Sequence, residues 1–333
     1  MCATTSLMRD DFAVMQIKES EQYRCEDYIS LMGETVSSRS VSEEEEVESE
    51  LSEGHASNST ATESSSVAPM NVYWRESICI WAFDIADRCD LSREVVSVCM
   101  SYLDRFLSAA YKNRTISLDK PTLQLISATS MYLAAKLYEP RSKRLSVTSF
   151  VRVSQGLFGI QDMEEMELKI LSGLSWYMHP PTALTYIRHI LMVVSSKTNQ
   201  QQRGSMDGAL TFFDLARFLT ELSVCDYFFV TIRPSTIALA SIMIAAQEAP
   251  ANIRSFGAMA VLTAREVLDY DTGDVARALT RLQTGYFHTV GRDPVDFTSD
   301  ATKQQQHRVS NNAPCSATIS RHVSDSEDDM ATM

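Results

Sequence analysis

The sequence has few of the features that mark membrane-spanning, secreted or catalytic proteins. No apolar run reaches the length of a membrane span, and residues 1–11 lack the basic start and apolar core of a secretory signal. Seven cysteines at no metal-ligand spacing indicate a reducing compartment. The sequence contains no Gly-x-Ser-x-Gly elbow, no glycine-rich phosphate loop and no His-Glu-x-x-His motif, and its six histidines are scattered. We therefore expect a protein of the nucleus and cytoplasm without catalytic residues, cofactor, metal or membrane partner.

A basic surface is also missing, although the chain is strongly charged. The formal net charge is −13, and residues 1–69 account for −11 of it, with 15 acidic and 4 basic side chains. The remaining residues are almost neutral in sum. Because binding to nucleic acid depends on clustered lysine and arginine, we expect no direct nucleic-acid partner.

The sequence does contain helical periodicity, which is centred on residues 123–137. Apolar or small residues occur on every side of this stretch, which lies between Pro121 and Pro140, and such a helix is normally buried among other helices. Its two polar ends, Gln124 and Lys136, are about 18 Å apart at the standard rise and point to different sides. We predict a central helix that serves two surfaces.

The helical pattern before and after this centre suggests a duplication. Each of two groups has five predicted helices, at 74–88, 92–107, 123–137, from Ser146 or Thr148, and 162–174, and then at 183–196, 206–224, 234–248, 258–268 and 275–286. The break between the groups is residues 179–182. Residues 234–247 resemble the central helix, since they also begin with proline and end in Ala-Ala and a polar residue, here Gln247. Chance similarity of two helices is the alternative. The prediction is an all-α fold of two tandem five-helix domains.

Domain boundaries follow from the changes in composition. Residues 1–33 have a loose helical pattern, strongest from Met8 to Met32, that suggests a docking helix. Residues 34–69 read as a disordered acidic, serine-rich linker, and residues 291–333 as a second disordered acidic tail. The two folded domains are then 70–178 and 179–290. Cysteines 79, 89 and 99 lie in apolar helical patterns and are predicted to be core thiols, and the acidic tails offer candidate phosphorylation sites at Ser40, Ser42, Ser324 and Ser326.

Several motifs resemble the cyclin box of the cyclin family, in matching order and spacing. They are Trp74-Arg-Glu-Ser-Ile-Cys-Ile-Trp81, Ser101-Tyr-Leu-Asp-Arg-Phe-Leu-Ser108, Leu133-Ala-Ala-Lys136 and Met166-Glu-x-x-Ile-Leu-x-x-Leu-Ser-Trp176. The resemblance covers roughly residues 74–288, and the stretch from Glu21 to Ile29 resembles the helix that precedes the box. It implies two tandem cyclin folds and a non-catalytic regulatory subunit that binds and activates a cyclin-dependent Ser/Thr kinase. The box resembles D-type cyclins most closely, which implies a role in G1 or G1/S.

The resemblance assigns roles to two pairs of residues. Arg75 and Asp104 match an ion pair between the first and second helices of the box, for which two solvated charges are the alternative. Lys136 and Glu167 match the lysine and glutamate that cyclins present to the kinase. Without the resemblance, the alternative is that neither residue binds a partner protein. A lysine in the last turn of a helix is favoured by the helix dipole, and a glutamate on an amphipathic helix is usually solvated.

The resemblance also implies a groove for substrates that carry an Arg-x-Leu type docking motif. Trp81, Asp84, Leu123 and Gln124 match its residues, with an apolar floor from Trp81 and Leu123 and a carboxylate for the peptide's cation. Ordinary core packing of Trp81 and Leu123 is the alternative. Ile80 stands where the family often has an aspartate, which implies altered specificity.

Two further functions are alternatives to a kinase regulator. A cyclin-fold transcription adaptor, or a transcription-linked cyclin, is the main alternative, but it needs a basic DNA-facing surface that the near-neutral core lacks. The third possibility, an enzyme, is disfavoured because the sequence contains none of the catalytic motifs considered above. The Leu-x-Cys-x-Glu motif of D-type cyclins is absent from the N-terminal tail, so a link to pocket proteins is not implied.

Overall fold

A computed structural model describes residues 2–30, 71–113, 119–153, 156–197 and 206–291, except for the side chains of residues 2–9, 153, 206 and 207. Its α-helices are α1 Cys2–Glu21, α2 Val72–Arg88, α3 Glu94–Asn113, α4 Lys120–Tyr138, α5 Val147–Val153, α6 Ile160–Gly173, α7 Ala183–Lys197, α8 Met206–Cys225, α9 Pro234–Gln247, α10 Arg254–Val267 and α11 Thr272–Val290. Short 3-10 helices lie at Arg141–Lys143, Tyr227–Thr231 and Ala251–Ile253. The described ranges contain no strand.

The all-α prediction with two five-helix repeats is confirmed. Helices α2–α6 form the first repeat and α7–α11 the second. In the first repeat α4 packs against α3, α5 and α6, and in the second α9 packs against all four of the other helices. Buried small residues along α4 and α9, among them Ala134 and Ala245, allow this close approach. The central helix predicted for each repeat is therefore present.

Side-chain caps explain why several helices begin where they do. Asn71 caps α2 by accepting a hydrogen bond from the Trp74 N–H at 3.1 Å. Asp119 caps α4 in the same way through Thr122, and Asp271 caps α11 through Asp274. Such caps satisfy one of the free N–H groups that every helix start exposes. The cap at Asp271 places the start of α11 three residues earlier than the apolar pattern predicts.

Helix α10 also differs from its predicted span, since it begins four residues before Ala258. The 3-10 helix Ala251–Ile253 leads directly into it at Arg254. Gly257 lies in its first turn, and a Cβ there would stand 3.2 Å from Ala246 of α9. The absence of a side chain at Gly257 permits this close packing of α10 on α9.

The N-terminal segment, residues 2–30, does not continue as one helix. Helix α1 ends at Glu21, residues 22–27 are not helical, and the chain becomes helical again at Tyr28. The predicted helical pattern from Met8 to Met32 is thus wrong at residues 22–27, and the same residues interrupt the helix expected from Glu21 to Ile29. Tyr23 and Tyr28 contact different parts of the two repeats, and a continuous helix would turn them about 140° apart.

Cys79 and Cys99 are buried as predicted, but Cys89 follows the end of α2 and is only partly buried.

Within the described ranges no helix combines the length and hydrophobicity that a membrane crossing requires. The predicted linker at residues 34–69, the tail beyond Gly291 and the four candidate phosphorylation sites lie outside the described residues.

Candidate functional site

The two residues expected to face a kinase contact each other at the protein surface. Lys136 lies in the last turn of α4 and Glu167 in the middle of α6, and Lys136 Nζ is 2.8 Å from Glu167 Oε1. The lysine side chain is 44% exposed and that of the glutamate 16%. The hydrogen bond that Lys136 donates to Glu167 raises the pKa of Lys136, so this lysine carries its charge at neutral pH. The pair is an accessible, fixed dipole on the face formed by α4 and α6.

One exposed leucine follows each residue of this ion pair in the sequence, and neither was predicted from the sequence. Leu137 follows Lys136 and is 38% exposed, while Leu168 follows Glu167 and is 62% exposed. Their signal in the sequence is an apolar residue beside each polar residue on the outer side of an amphipathic helix. Exposed apolar groups around a charged pair are typical of a surface that another protein covers.

A third exposed apolar residue lies just beyond α6. Trp176 is 66% exposed, and both Ser175 and Trp176 have left-handed backbone conformations, with φ of 50° and 63°. Leu174 and Met178 on either side are buried. The left-handed turn therefore directs the indole outwards between the buried Leu174 and Met178, two residues to either side. A left-handed backbone is energetically unfavourable for residues other than glycine. Such strained positions cluster at functional sites, so the exposed Trp176 is a further candidate for a binding contact.

Arg75 and Asp104 form a buried, bidentate ion pair. Arg75 Nε donates to Asp104 Oδ1 and Arg75 Nη2 to Asp104 Oδ2, both at 2.8 Å. The Tyr28 hydroxyl also donates to Oδ1 at 2.8 Å, and Arg75 Nη1 donates to the Val224 carbonyl at 2.9 Å. Burial alone would lower the pKa of Arg75, but the charge and hydrogen bonds of Asp104 raise it. This network joins the first repeat, the second repeat and the N-terminal segment.

The four residues expected to form a docking groove have different surroundings. Leu123 is buried in the core of the first repeat, and Trp81 packs against that core with part of its surface exposed. The Trp81 indole nitrogen is buried and has no hydrogen-bond partner among the described residues. Asp84 accepts a hydrogen bond from Arg88 at 2.8 Å, and Gln124 is half-buried. Lys120 Nζ lies 5.5 Å from the centre of the Trp74 ring, which places the start of α4 beside α2.

The contacts of the N-terminal segment were not predicted from the sequence. Phe12 is 2% exposed and packs between Tyr186 and His189 of α7. Gln16 exchanges two hydrogen bonds with the backbone of Asp269, at 2.7 and 3.1 Å. Glu19 is buried at the start of α9, where its carboxylate accepts hydrogen bonds from the backbone N–H of Ser235 at 3.0 Å and from the Ser235 hydroxyl.

Glu19 offers a test of how firmly this segment is bound. We expect Glu19→Ala to lower the free energy of unfolding by about 1–3 kcal/mol, because it leaves two buried donors of Ser235 without an acceptor. Glu19→Gln keeps one acceptor oxygen and is the matched control, with a smaller loss. Thermal or denaturant unfolding of both variants measures the difference, and equal losses would contradict the capping role.

The same residue predicts a pH dependence. Burial raises the pKa of Glu19 in the folded protein, so the unfolded chain loses this proton first and stability falls as pH rises through the raised pKa. Glu19→Gln removes that titration. The melting temperature of the wild type relative to Glu19→Gln should therefore decrease between about pH 4 and the raised value, and a flat difference would contradict this.

Comparison with known proteins agrees with the fold and the motifs. Residues 45–179 match the family model "Cyclin, N-terminal domain", and residues 181–311 match "Cyclin, C-terminal domain". Together these two models cover most of the chain. The chain belongs to the cyclin family.

Individual relatives share less than a third of their residues with this chain over the matched stretch. Cyclin-A3-3 of Arabidopsis thaliana is 29% identical over 165 residues, which are 50% of this chain and 46% of the relative. Cyclin-A3-1 of Oryza sativa subsp. japonica is 29% identical over 206 residues, 62% of this chain and 46% of the relative. The match thus spans about half the length of these curated relatives. A viral cyclin from herpesvirus saimiri aligns at 16% identity and a TM-score of 0.48, over 66% of this chain and 90% of that chain.

Proposed function

We propose that this protein is a non-catalytic regulatory subunit that binds and activates a cyclin-dependent Ser/Thr kinase. The observation that carries the proposal is the surface ion pair of Lys136 and Glu167, with Leu137 and Leu168 exposed beside it. Charged groups that are already fixed in place lose little side-chain entropy on binding, and the leucines supply apolar area to bury. This combination favours protein docking over a role in folding alone.

In the proposed mechanism the α4–α6 face holds the activating helix of the kinase in its active position. The kinase's own Lys–Glu ion pair and its metal-binding aspartate then come into register, so catalysis remains in the kinase. A cyclin that binds the active arrangement better than the inactive one shifts the kinase population towards it. No group of this chain needs to touch the nucleotide or the reacting atoms.

Affinity purification from dividing cells is the direct test of this proposal. The full chain should recover a cyclin-dependent kinase catalytic subunit, and the recovered complex should phosphorylate a Ser/Thr peptide in the presence of Mg-ATP. Recovery of a basal transcription complex without kinase activity would support the transcription-adaptor alternative instead. A nuclear and cytoplasmic distribution, proposed here from the sequence, can be scored in the same cells.

The timing of action is proposed more narrowly from the motif similarity. The resemblance of residues 100–108 to D-type cyclins supports a role in G1 or G1/S. The relatives matched over the wider chain carry A-type names, so closeness to G1 cyclins stays a prediction. Protein levels and associated kinase activity in synchronised cells would separate G1 from later phases.

We further propose that Trp81, Asp84, Leu123 and Gln124 recruit substrates through an Arg-x-Leu type motif. The unpartnered indole N–H of Trp81 supports this role, because a peptide carbonyl that docks there would satisfy a buried donor. Asp84 is bound to Arg88 on the same helix, so the cation of the peptide competes with that arginine. The competition is inexpensive, since exposed pairs at this spacing contribute only a few tenths of a kcal/mol.

The groove can be tested with a double variant. Trp81→Ala with Gln124→Ala should weaken phosphorylation of a substrate that carries the docking motif by about tenfold, through KM, and should leave a short motif-free peptide unaffected. Met192→Ala, an exposed apolar residue on α7, is the control. Melting curves must first show that the variant folds, since Trp81 also packs on the core. Equal losses on both substrates would contradict the groove.

A further inference from the structure

Two free cysteines from different repeats lie in contact inside the molecule. Cys79 is in the middle of α2 and fully buried, and Cys225 is the last residue of α8 and partly exposed. Their Sγ atoms are 3.5 Å apart, although 146 residues separate them in the sequence. The sequence analysis treated Cys79 only as a core thiol. The two cysteines belong neither to the proposed kinase-binding ion pair nor to the proposed substrate groove.

The surroundings of the two thiols give them different chemistry. Cys79 donates its hydrogen to the sulfur of Cys225, and burial raises the pKa of Cys79. That hydrogen bond lowers the pKa of Cys225 and outweighs its partial burial. Arg75 and Arg93 also favour the Cys225 thiolate, while Glu221 opposes it. Cys225 is thus the more reactive and more accessible sulfur, and Cys79 is a buried thiol next to it.

Arg75 connects this site to the ion pair described above. Its guanidinium is held by Asp104 and donates to the carbonyl of Val224, the residue immediately before Cys225. Its position relative to Cys225 is therefore fixed by three hydrogen bonds, two of them to one carboxylate. A positive group held in this way stabilises a thiolate more reliably than a mobile lysine on the surface.

We infer that Cys79 and Cys225 are an oxidisable pair that forms a disulfide between the two repeats. The sulfurs need to close by about 1.5 Å to reach bonding distance, a shift that side-chain rotation can supply. The bond would fix α2 of the first repeat to the end of α8 in the second. Because the product adds a covalent bond to the hydrogen bonds that already join the two repeats, oxidation would restrict their relative motion.

Glutathione disulfide is a suitable oxidant, and the reaction balances in two steps. The Cys225 thiolate attacks one sulfur of glutathione disulfide, forms a mixed disulfide and releases a glutathione thiolate. Cys79 then loses its proton to water or to that thiolate and attacks the sulfur of Cys225. This releases the second glutathione. Two protein thiols are oxidised by two electrons in total, and one glutathione disulfide is reduced to two glutathione molecules.

The test uses the folded full chain, incubated with glutathione disulfide and then digested by trypsin without reduction. We expect a cross-linked pair of peptides, Glu76–Arg88 with Phe218–Arg254, that separates on reduction. Closing a loop of 146 residues should raise the melting temperature by roughly 5–10 °C relative to the reduced protein. Cys99→Ser, which replaces another buried thiol, is the control and should retain the cross-link.

The single variants separate the two roles. Cys79→Ser should stop at a glutathione adduct on Cys225, without the rise in melting temperature. Cys225→Ser should show neither the adduct at Cys79 nor the cross-link. Glutathione adducts on wild-type Cys225 without a cross-link would overturn the inference, as would a cross-link that forms only after the protein is unfolded by denaturant.

Discussion

Reversing both charges of the surface ion pair, by Lys136→Glu with Glu167→Lys, is expected to reduce kinase binding by at least about thirtyfold. Each side chain would then face a kinase group of its own sign at a desolvated contact, which costs roughly 2–5 kcal/mol per buried pair. The associated kinase activity should fall in parallel. Titration with purified kinase and a phosphorylation assay measure the two effects.

The same variant should keep its fold, because the two residues contact each other. With Lys136 Nζ 2.8 Å from Glu167 Oε1, exchanging the charges leaves an attractive pair on the surface, so stability should change by only about 0.5 kcal/mol. The matched control exchanges Lys197 and Glu266, an exposed pair 3.5 Å apart in the second repeat. A folded double variant that still activates the kinase as the wild type does would contradict the assigned surface.

Removing the buried carboxylate in Asp104→Ala is expected to destabilise the protein by about 3–5 kcal/mol. Arg75, which is 3% exposed, would keep its charge but lose the partner of two hydrogen bonds, and Tyr28 would lose its acceptor. The melting temperature should fall by roughly 6–20 °C for a folded unit of this size. Thermal unfolding followed by circular dichroism is the measurement.

A double variant separates the cost of an unpaired charge from that of lost packing. Arg75→Met with Asp104→Leu removes both charges while keeping apolar volume, and we expect it to be more stable than Asp104→Ala alone. The melting temperatures of the double variant and of Asp104→Ala are compared, and a higher value for the double variant would show that the unpaired charge causes most of the loss. If the double variant were the less stable of the two, the ion pair itself would be a net contributor to stability.

The sequence predicts the helices well because their signals are local. The proline at the start of α4 and α9, the apolar residues every three or four positions and the caps all act within a few residues. The errors arise where a distant contact decides the outcome. The apolar pattern of α10 begins only after Gly257, which packs against Ala246. Residues 22–27 leave the helix because Tyr23 and Tyr28 reach separate partners.

The candidate site was less predictable than the fold for the same reason. Motif similarity selected Lys136 and Glu167 separately, but only the packing of α4 on α6 shows that they pair. Leu137 and Leu168 were not predicted as surface residues, because an apolar residue in a helical pattern is normally expected in the core. The contact of Cys79 with Cys225 spans 146 residues and leaves no local trace in the sequence.

The position of the N-terminal segment has a consequence for how the chain folds. Residues 2–30 are synthesised before both repeats, yet Glu19 binds Ser235 and Gln16 binds Asp269, which lie 216 and 253 residues further along. During synthesis this segment cannot form these contacts until Asp269, near the end of the second repeat, has left the ribosome. Contacts between such distant parts of a chain form slowly, because a large loop must close before they can be made. We expect refolding to end with a slow docking step of this segment, detectable as late burial of Phe12 after both repeats have gained their helical content.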